Sequence, residues 1–243
     1  MMKIMKQLLM MCLIINITPV SAMAISSLML ANADDQAGIL TLDNTDNITY
    51  FLKTSVSKVE IKNNQIIKTP YTRKNLDRWQ IATKPSKLVI EPNMVKDIQI
   101  ESICGNKCDR TVDQVFQIHI QPVSYSNEGE EQSNISMLFG FAPYYIIPAK
   151  ESKVEYQASY DGKNITAKNS GNTMLTLLID QCKNNVQEES NKKPALCKTT
   201  FTLLAGRTRI LHLPKELQRD NLDVIMLNHD ETFKEEITLT QGE

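Results

Sequence analysis

In NISMLFGFAP, residues 134–143, the bulky apolar side chains Ile135, Met137, Phe139 and Phe141 fall on every second position. Ser136, Leu138, Gly140 and Ala142, mostly small, lie between them. Successive side chains of a strand point to opposite faces, so a period of two reads as a β-strand with one bulky face. That face has to be buried, either against this chain's own core or against another chain.

Working outward, nearly the whole chain reads the same way. GILTLDN (38–44), TYFLKTSVSKVEI (49–61), KLVIEP (87–92), KDIQIES (96–102) and VFQIHIQPV (115–123) alternate or are rich in β-branched residues. The second half follows with KVEYQASYDGKNITAKN (153–169), TMLTLLIDQC (173–182), TTFTLLAGRTRILHLP (199–214), LDVIML (222–227) and EEITLT (235–240). Asp161-Gly162 between two alternating runs is the signal of a tight hairpin. Helix caps followed by a 3.6-residue apolar stripe are missing. Many short strands predict an all-β chain of two antiparallel β-sandwich domains. Pro143 and Pro148 bracket PYYIIPAKES, and proline cannot donate to a strand ladder, so the boundary is expected there, near Ala149. The expected first domain is 25–148 and the second 149–243.

Residues 1–24 have the layout of a secretory signal peptide. Lys3 and Lys6 precede an apolar run, Leu8–Ile15, that is too short to span a bilayer, and small residues precede possible cuts after Ala22 or Ala24. Cys12 lies inside the apolar run and is expected to leave with it. Cleavage would remove two of 27 basic residues, for a mature charge of 25 − 28 = −3. With no basic patch interleaved with aromatics, nucleic-acid binding is not expected. No later segment is long and apolar enough for membrane insertion, so the mature chain is expected to be exported and soluble.

Four cysteines remain: Cys104, Cys108, Cys182 and Cys197. An even count in an exported chain favours disulfides, and proximity favours Cys104–Cys108 and Cys182–Cys197 over crossed pairing. A metal site would want further His or Cys ligands at suitable spacing, and neither pair has them, so no metal is expected. Closing a loop the size of Cys182–Cys197 stabilises by about 3 kcal/mol in the chain-entropy model.

Catalytic signals are missing. There is no G-x-S-x-G turn, H-E-x-x-H pair or phosphate-binding loop. His119 and His212 alternate with apolar strand residues and read as structural. The acid pairs Asp34–Asp35 and Glu130–Glu131 read as solvated loop charge. No enzymatic activity and no cofactor is expected.

The order of these pieces is more specific than any one of them. The entry ISSLML, the long strand at 49–61, the alternating 134–143, then NSGNT (169–173) before an apolar strand and Cys182, then LLAGR (203–207) with RILHL (209–213), resemble the periplasmic chaperones of pilus assembly by the chaperone–usher route, alternative class. The similarity runs from about residue 25 to 228. It implies two immunoglobulin-like sandwiches in an L-shaped arrangement around a cleft. It also implies that the last strand of the first domain is lent to a pilus subunit lacking one, a form of β-augmentation. Ile135, Met137, Phe139 and Phe141 match that strand, and their burial would be worth roughly 6–12 kcal/mol gross. The expected partners are pilus subunits and an outer-membrane usher. Family members anchor the subunit's C-terminal carboxylate with an Arg near the first strand and a Lys on the lent strand. Neither ISSLMLANAD nor NISMLFGFAP carries a base. Lys53 and Arg78 are the nearest basic residues in sequence, and the anchor is left unassigned.

Two other readings compete. An exported pilus subunit or adhesin would show one incomplete sandwich and an N-terminal donor segment, but ISSLMLANADDQA (25–37) loses its alternation after Leu30. A secreted carbohydrate-binding or hydrolytic β protein fits poorly with one Trp, three scattered His and no carboxylate constellation.

Overall fold

The structure, a computed structural model, describes residues 22–32, 37–105, 108–122, 140–182 and 196–242, and the strands and sheets counted below are those of the described residues. Ten strands build the first sandwich: β1 (Met23–Ile25), β2 (Met29–Ala31), β3 (Gly38–Asn44), β4 (Tyr50–Lys62), β5 (Gln65–Pro70), β6 (Ile81–Lys84), β7 (Lys87–Ile90), β8 (Met94–Ser102), β9 (Gln114–Pro122) and β10 (Tyr144–Ile147). One sheet is ordered β1-β3-β8-β6 and the other β2-β10-β9-β4-β5, with β7 also on β4. The inward residues of both, among them Leu40, Ile98, Leu52, Phe116, Ile118 and Ile120, form one buried core.

The second sandwich has β11 (Tyr156–Tyr160), β12 (Asn164–Asn169), β13 (Leu175–Asp180), β14 (Lys198–Leu203), β15 (Thr208–His212), β16 (Asn221–Leu227) and β17 (Lys234–Thr240). Its sheets are β11-β12-β15 and β14-β13-β16-β17, closed over Ile165, Leu177, Leu211, Leu222 and Val224. The Asp161-Gly162 turn is present, with Gly162 at φ 92° and the Asp161 carboxylate accepting the Lys163 and Asn164 N–H groups. Both disulfides are formed as local pairs, with Cα separations of 5.3 Å for Cys104–Cys108 and 4.8 Å for Cys182–Cys197.

Three local readings change. PYYIIP, expected only to mark the boundary, holds a strand of the first sandwich: Tyr144–Ile147 is an inner strand, antiparallel to β9 and parallel to β2. The prolines bound it without preventing it, and Tyr145, Ile146 and Ile147 are all buried. The parallel β2–β10 pair departs from a purely antiparallel sandwich. It arises because ISSLML is two strands: Ser26 bonds Thr41 through backbone and side chain, and the Ser27 hydroxyl bonds the Met29 backbone. Serine self-bonding ends β1 on one sheet and lets β2 cross to the other. Met23 and Ala24, inside the expected signal segment, pair with Asn44 and Asp43. Finally, TTFTLLAGRTRILHLP is split by Gly206, at φ 76°, into β14 and β15 on opposite sheets.

The two sandwiches meet at a polar and an apolar contact. Asp113, 7% exposed, accepts the N–H of Ala149 at 2.9 Å and of Met174 at 2.7 Å. Asn172 donates to the carbonyls of Thr111 and Glu151 and accepts the Lys153 N–H. Beside them Val59, Val115, Ile146, Met174 and Leu204 form a buried apolar patch. Burial pushes the Asp113 carboxyl above its ordinary pKa, and the Ala149 and Met174 N–H groups pull against that rise.

Replacing Asp113 by Ala leaves two buried N–H groups without acceptors, each worth about 1–3 kcal/mol, partly offset by removal of a buried charge. A net loss of roughly 2 kcal/mol is expected from urea denaturation. Unchanged stability would assign the joint to its apolar patch alone.

Candidate functional site

The opening stretch enters the described residues at Gly140. Phe141 exchanges both backbone hydrogen bonds with Ile120, at 2.8 and 2.9 Å. Ile120 belongs to the first core, and Phe141 is half-buried against that same core. Ile135, Met137 and Phe139 lie outside the described residues, as do Asp34, Asp35, Glu130 and Glu131. A Cβ on Gly140 would stand 2.7 Å from the Ile120 carbonyl oxygen, closer than real contacts allow, so only glycine lets the chain come this near β9.

From Phe141 the chain runs into β10, whose outward residue Tyr144 opposes Met29 of β2. Tyr144 and Met29, with Ile66 of β5, face a cleft of about 270 Å³ completed by the second sandwich: Thr202, Leu204, Arg207 and Arg209. The cleft has an apolar floor and two guanidinium groups. Arg209 donates to the Thr202 carbonyl at 3.0 Å, and Arg207 to the Asn64 carbonyl. Neither arginine pairs with a carboxylate among the described residues. This arrangement suits the end of an extended peptide: an apolar side chain on the floor and a carboxylate on the arginines, which bind it bidentately.

The two basic residues nearest in sequence lie elsewhere. Lys53 pairs with Lys87 and Gln121 at the end of β4 far from the second sandwich. Arg78 ends a short 3-10 turn and lines a separate crevice with Trp79, Gln80 and Cys104. Sequence reading missed Arg207 and Arg209, although the LLAGR motif that contributed to the resemblance contains Arg207.

Lys58 is a further cation that the sequence did not single out. Its ammonium donates to Gln80 at 2.7 Å and to Gln114, and lies 4.3 Å from the Phe116 ring centroid. Burial lowers its pKa from 10.5 to about 8, with Glu60 and Asp109 opposing. His119 and His212 are in polar strand surroundings: His119 Nε2 is 3.3 Å from the Ser57 hydroxyl, and His212 Nδ1 is 2.6 Å from Asn164 Oδ1. Among the described residues no three His, Cys, Asp or Glu side chains are grouped to hold a metal, and no helix is long and apolar enough to cross a membrane.

The two-sandwich arrangement is that of the pilus chaperones. A chain from the complex of Salmonella enterica SafA pilin with the SafB chaperone superposes with a TM-score of 0.56, covering 92% of this chain and 98% of that one at 12% identity. A chain of the CsuC–CsuE chaperone–tip subunit pre-assembly complex of Acinetobacter baumannii gives 0.52, with 91% and 100% covered at 10% identity. The class 5 fimbriae chaperone CfaA gives 0.51, with 91% and 100% covered at 11% identity. No curated protein matches by sequence. Residues 25–148 match the family model for the CS5 fimbrial protein N-terminal domain, and the protein belongs to that family.

The Lys58 pKa predicts a pH dependence of stability. Its folded value is below its unfolded one, so between about pH 8 and 10 the unfolded chain holds more of this proton and stability rises with pH. The slope from this group is at most about 1.4 kcal/mol per pH unit. Denaturation midpoints measured across that window should climb in the native protein and lose this component in Lys58→Met.

Proposed function

We propose that this protein is an exported, non-enzymatic chaperone of the periplasm. It binds pilus subunits by donor-strand complementation and delivers them to an outer-membrane usher. In this reading residues 1–24 carry the signal peptide, cut after Ala22 or Ala24 with the pairing of Met23 and Ala24 in β1 favouring the former, 25–148 are the domain that lends strand 134–142, and 149–243 the second wall of the cleft.

The observation that carries it is the register at Phe141. Phe141, the last bulky residue of the stripe, stands opposite Ile120 on β9 and packs on this protein's own core. The bulky stripe is thus rooted on this protein's own core at Phe141, and Ile135, Met137 and Phe139, which share its period in the sequence, supply an apolar face that an incomplete partner core would bury. Ile135, Met137 and Phe139 would each contribute roughly 1.5–3 kcal/mol on burial in a subunit. The cleft beside Tyr144, at the same end of β10, supports the same reading, with Arg207 and Arg209 taking the subunit's terminal carboxylate in place of bases on the first domain. Two closed cores, and coverage of whole chaperone chains, favour this over a pilus subunit with one open sandwich.

Met137→Ser combined with Phe139→Ser should leave the melting temperature of the free protein nearly unchanged and abolish recovery of a 1:1 subunit complex from periplasm. Two such changes in a closed core would instead leave cavities costing several kcal/mol. A double variant that unfolds alone would return the stripe to the first core, and one that still holds subunits would move the binding strand elsewhere.

A further inference from the structure

The β4–β5 hairpin turns on Asn63 and Asn64, at φ 52° and 63°. Two successive left-handed residues make the tight turn that suits a two-residue hairpin, and asparagine tolerates that region. Turn chemistry accounts for the backbone but not for what the tip touches. Asn64 Oδ1 accepts the Thr208 N–H at 2.8 Å, and the Asn64 carbonyl accepts a guanidinium N–H of Arg207. Both acceptors of one residue are thus engaged with the second sandwich.

The Thr208 N–H is available for geometric reasons. Along the β12–β15 ladder, Asn169 donates to the Arg207 carbonyl and Leu213 to the Lys163 carbonyl. The odd-numbered residues of β15 therefore bond β12, and the Thr208 N–H points to the open edge, since alternate residues of an edge strand face away from their partner. The hairpin tip covers the start of that edge. In the same contact it takes one donor of Arg207 and restricts the rotamers of a side chain that otherwise has many. The guanidinium keeps further donors beside the cleft floor of Met29, Ile66 and Tyr144.

We infer that Asn64 is a positioning residue of the cleft. It holds Arg207 ready for a peptide carboxylate and fixes the spacing of the two walls by tying the first sandwich to the start of β15. The inference rests on the reading of the cleft given under Proposed function.

The test uses the full mature chain and two forms of one probe, a short peptide of alternating valine and threonine ending in phenylalanine, made as free acid and as amide. Asn64→Gly keeps the turn and removes Oδ1, Asn64→Asp restores an acceptor there, and Asn63→Gly is the control. The native chain should prefer the free acid. Asn64→Gly should lower that preference about fivefold, the size expected for one neutral hydrogen bond, because the tip loses its Thr208 anchor and its carbonyl no longer holds Arg207 in place, and Asn64→Asp should recover it. Hydrogen exchange at the Thr208 amide, read without ligand, should quicken in Asn64→Gly alone. An undiminished acid preference in Asn64→Gly, or unchanged Thr208 exchange, overturns the inference and leaves the cleft reading standing. A native chain that binds acid and amide alike overturns both.

Discussion

The Asp113 carboxylate is the interaction on which the arrangement of the two sandwiches depends. It lies just before β9 and is buried where the N–H of Ala149, after β10, and the N–H of Met174, before β13, both need an acceptor. A buried carboxylate is costly unless hydrogen-bonded, and a buried N–H is costly unless accepted. Each group therefore satisfies the others only if three chain segments arrive together. Asn172 repeats the arrangement one step away with Thr111, Glu151 and Lys153. Such a joint admits few alternative angles, because any rotation that breaks it leaves several polar groups dry.

A fixed joint gives the cleft a defined width before any ligand arrives. β10 ends at the joint and begins beside Phe141, so the same short strand is root to the bulky stripe on one side and wall to the arginine cleft on the other. A preset cleft lowers the ordering cost of binding an extended partner, which otherwise subtracts from the burial of its side chains. The close approach at Gly140 adds to this, since the chain meets β9 with no side chain between them.

Alternation made the long strands readable, because β3, β8 and β16 each bury one face and β4 does so up to Val56. β5 escaped because Ile66 and Ile67 are adjacent and break the period, and because its turn is Asn-Asn rather than Asn-Gly. β10 was misread because two prolines outweighed four consecutive apolar residues, a pattern typical of an inner strand. LLAGR was legible as a motif but not as a turn, since the positive φ of Gly206 is a property of the fold. The cleft was harder still. Tyr144 and Arg207 are distant in sequence, and no local pattern says that they share a wall; the joint at Asp113 brings them together.

The same joint gives a physical reason why the cations come from the second sandwich. Met29 and Ala31 of β2 and Tyr144 of β10 pack at the edge of the apolar patch formed by Val59, Val115, Ile146, Met174 and Leu204. A lysine or arginine on those outward positions would have to desolvate its charge against that patch, at a cost of several kcal/mol unless paired. The floor of the cleft is therefore apolar. Charge can enter only from a surface that leaves the patch, and the chain does so at Gly206, where the turn carries Arg207 out over the floor and β15 continues to Arg209. Arginines on that wall keep the packing that orients the two sandwiches and still leave a cationic wall facing Tyr144 and Met29.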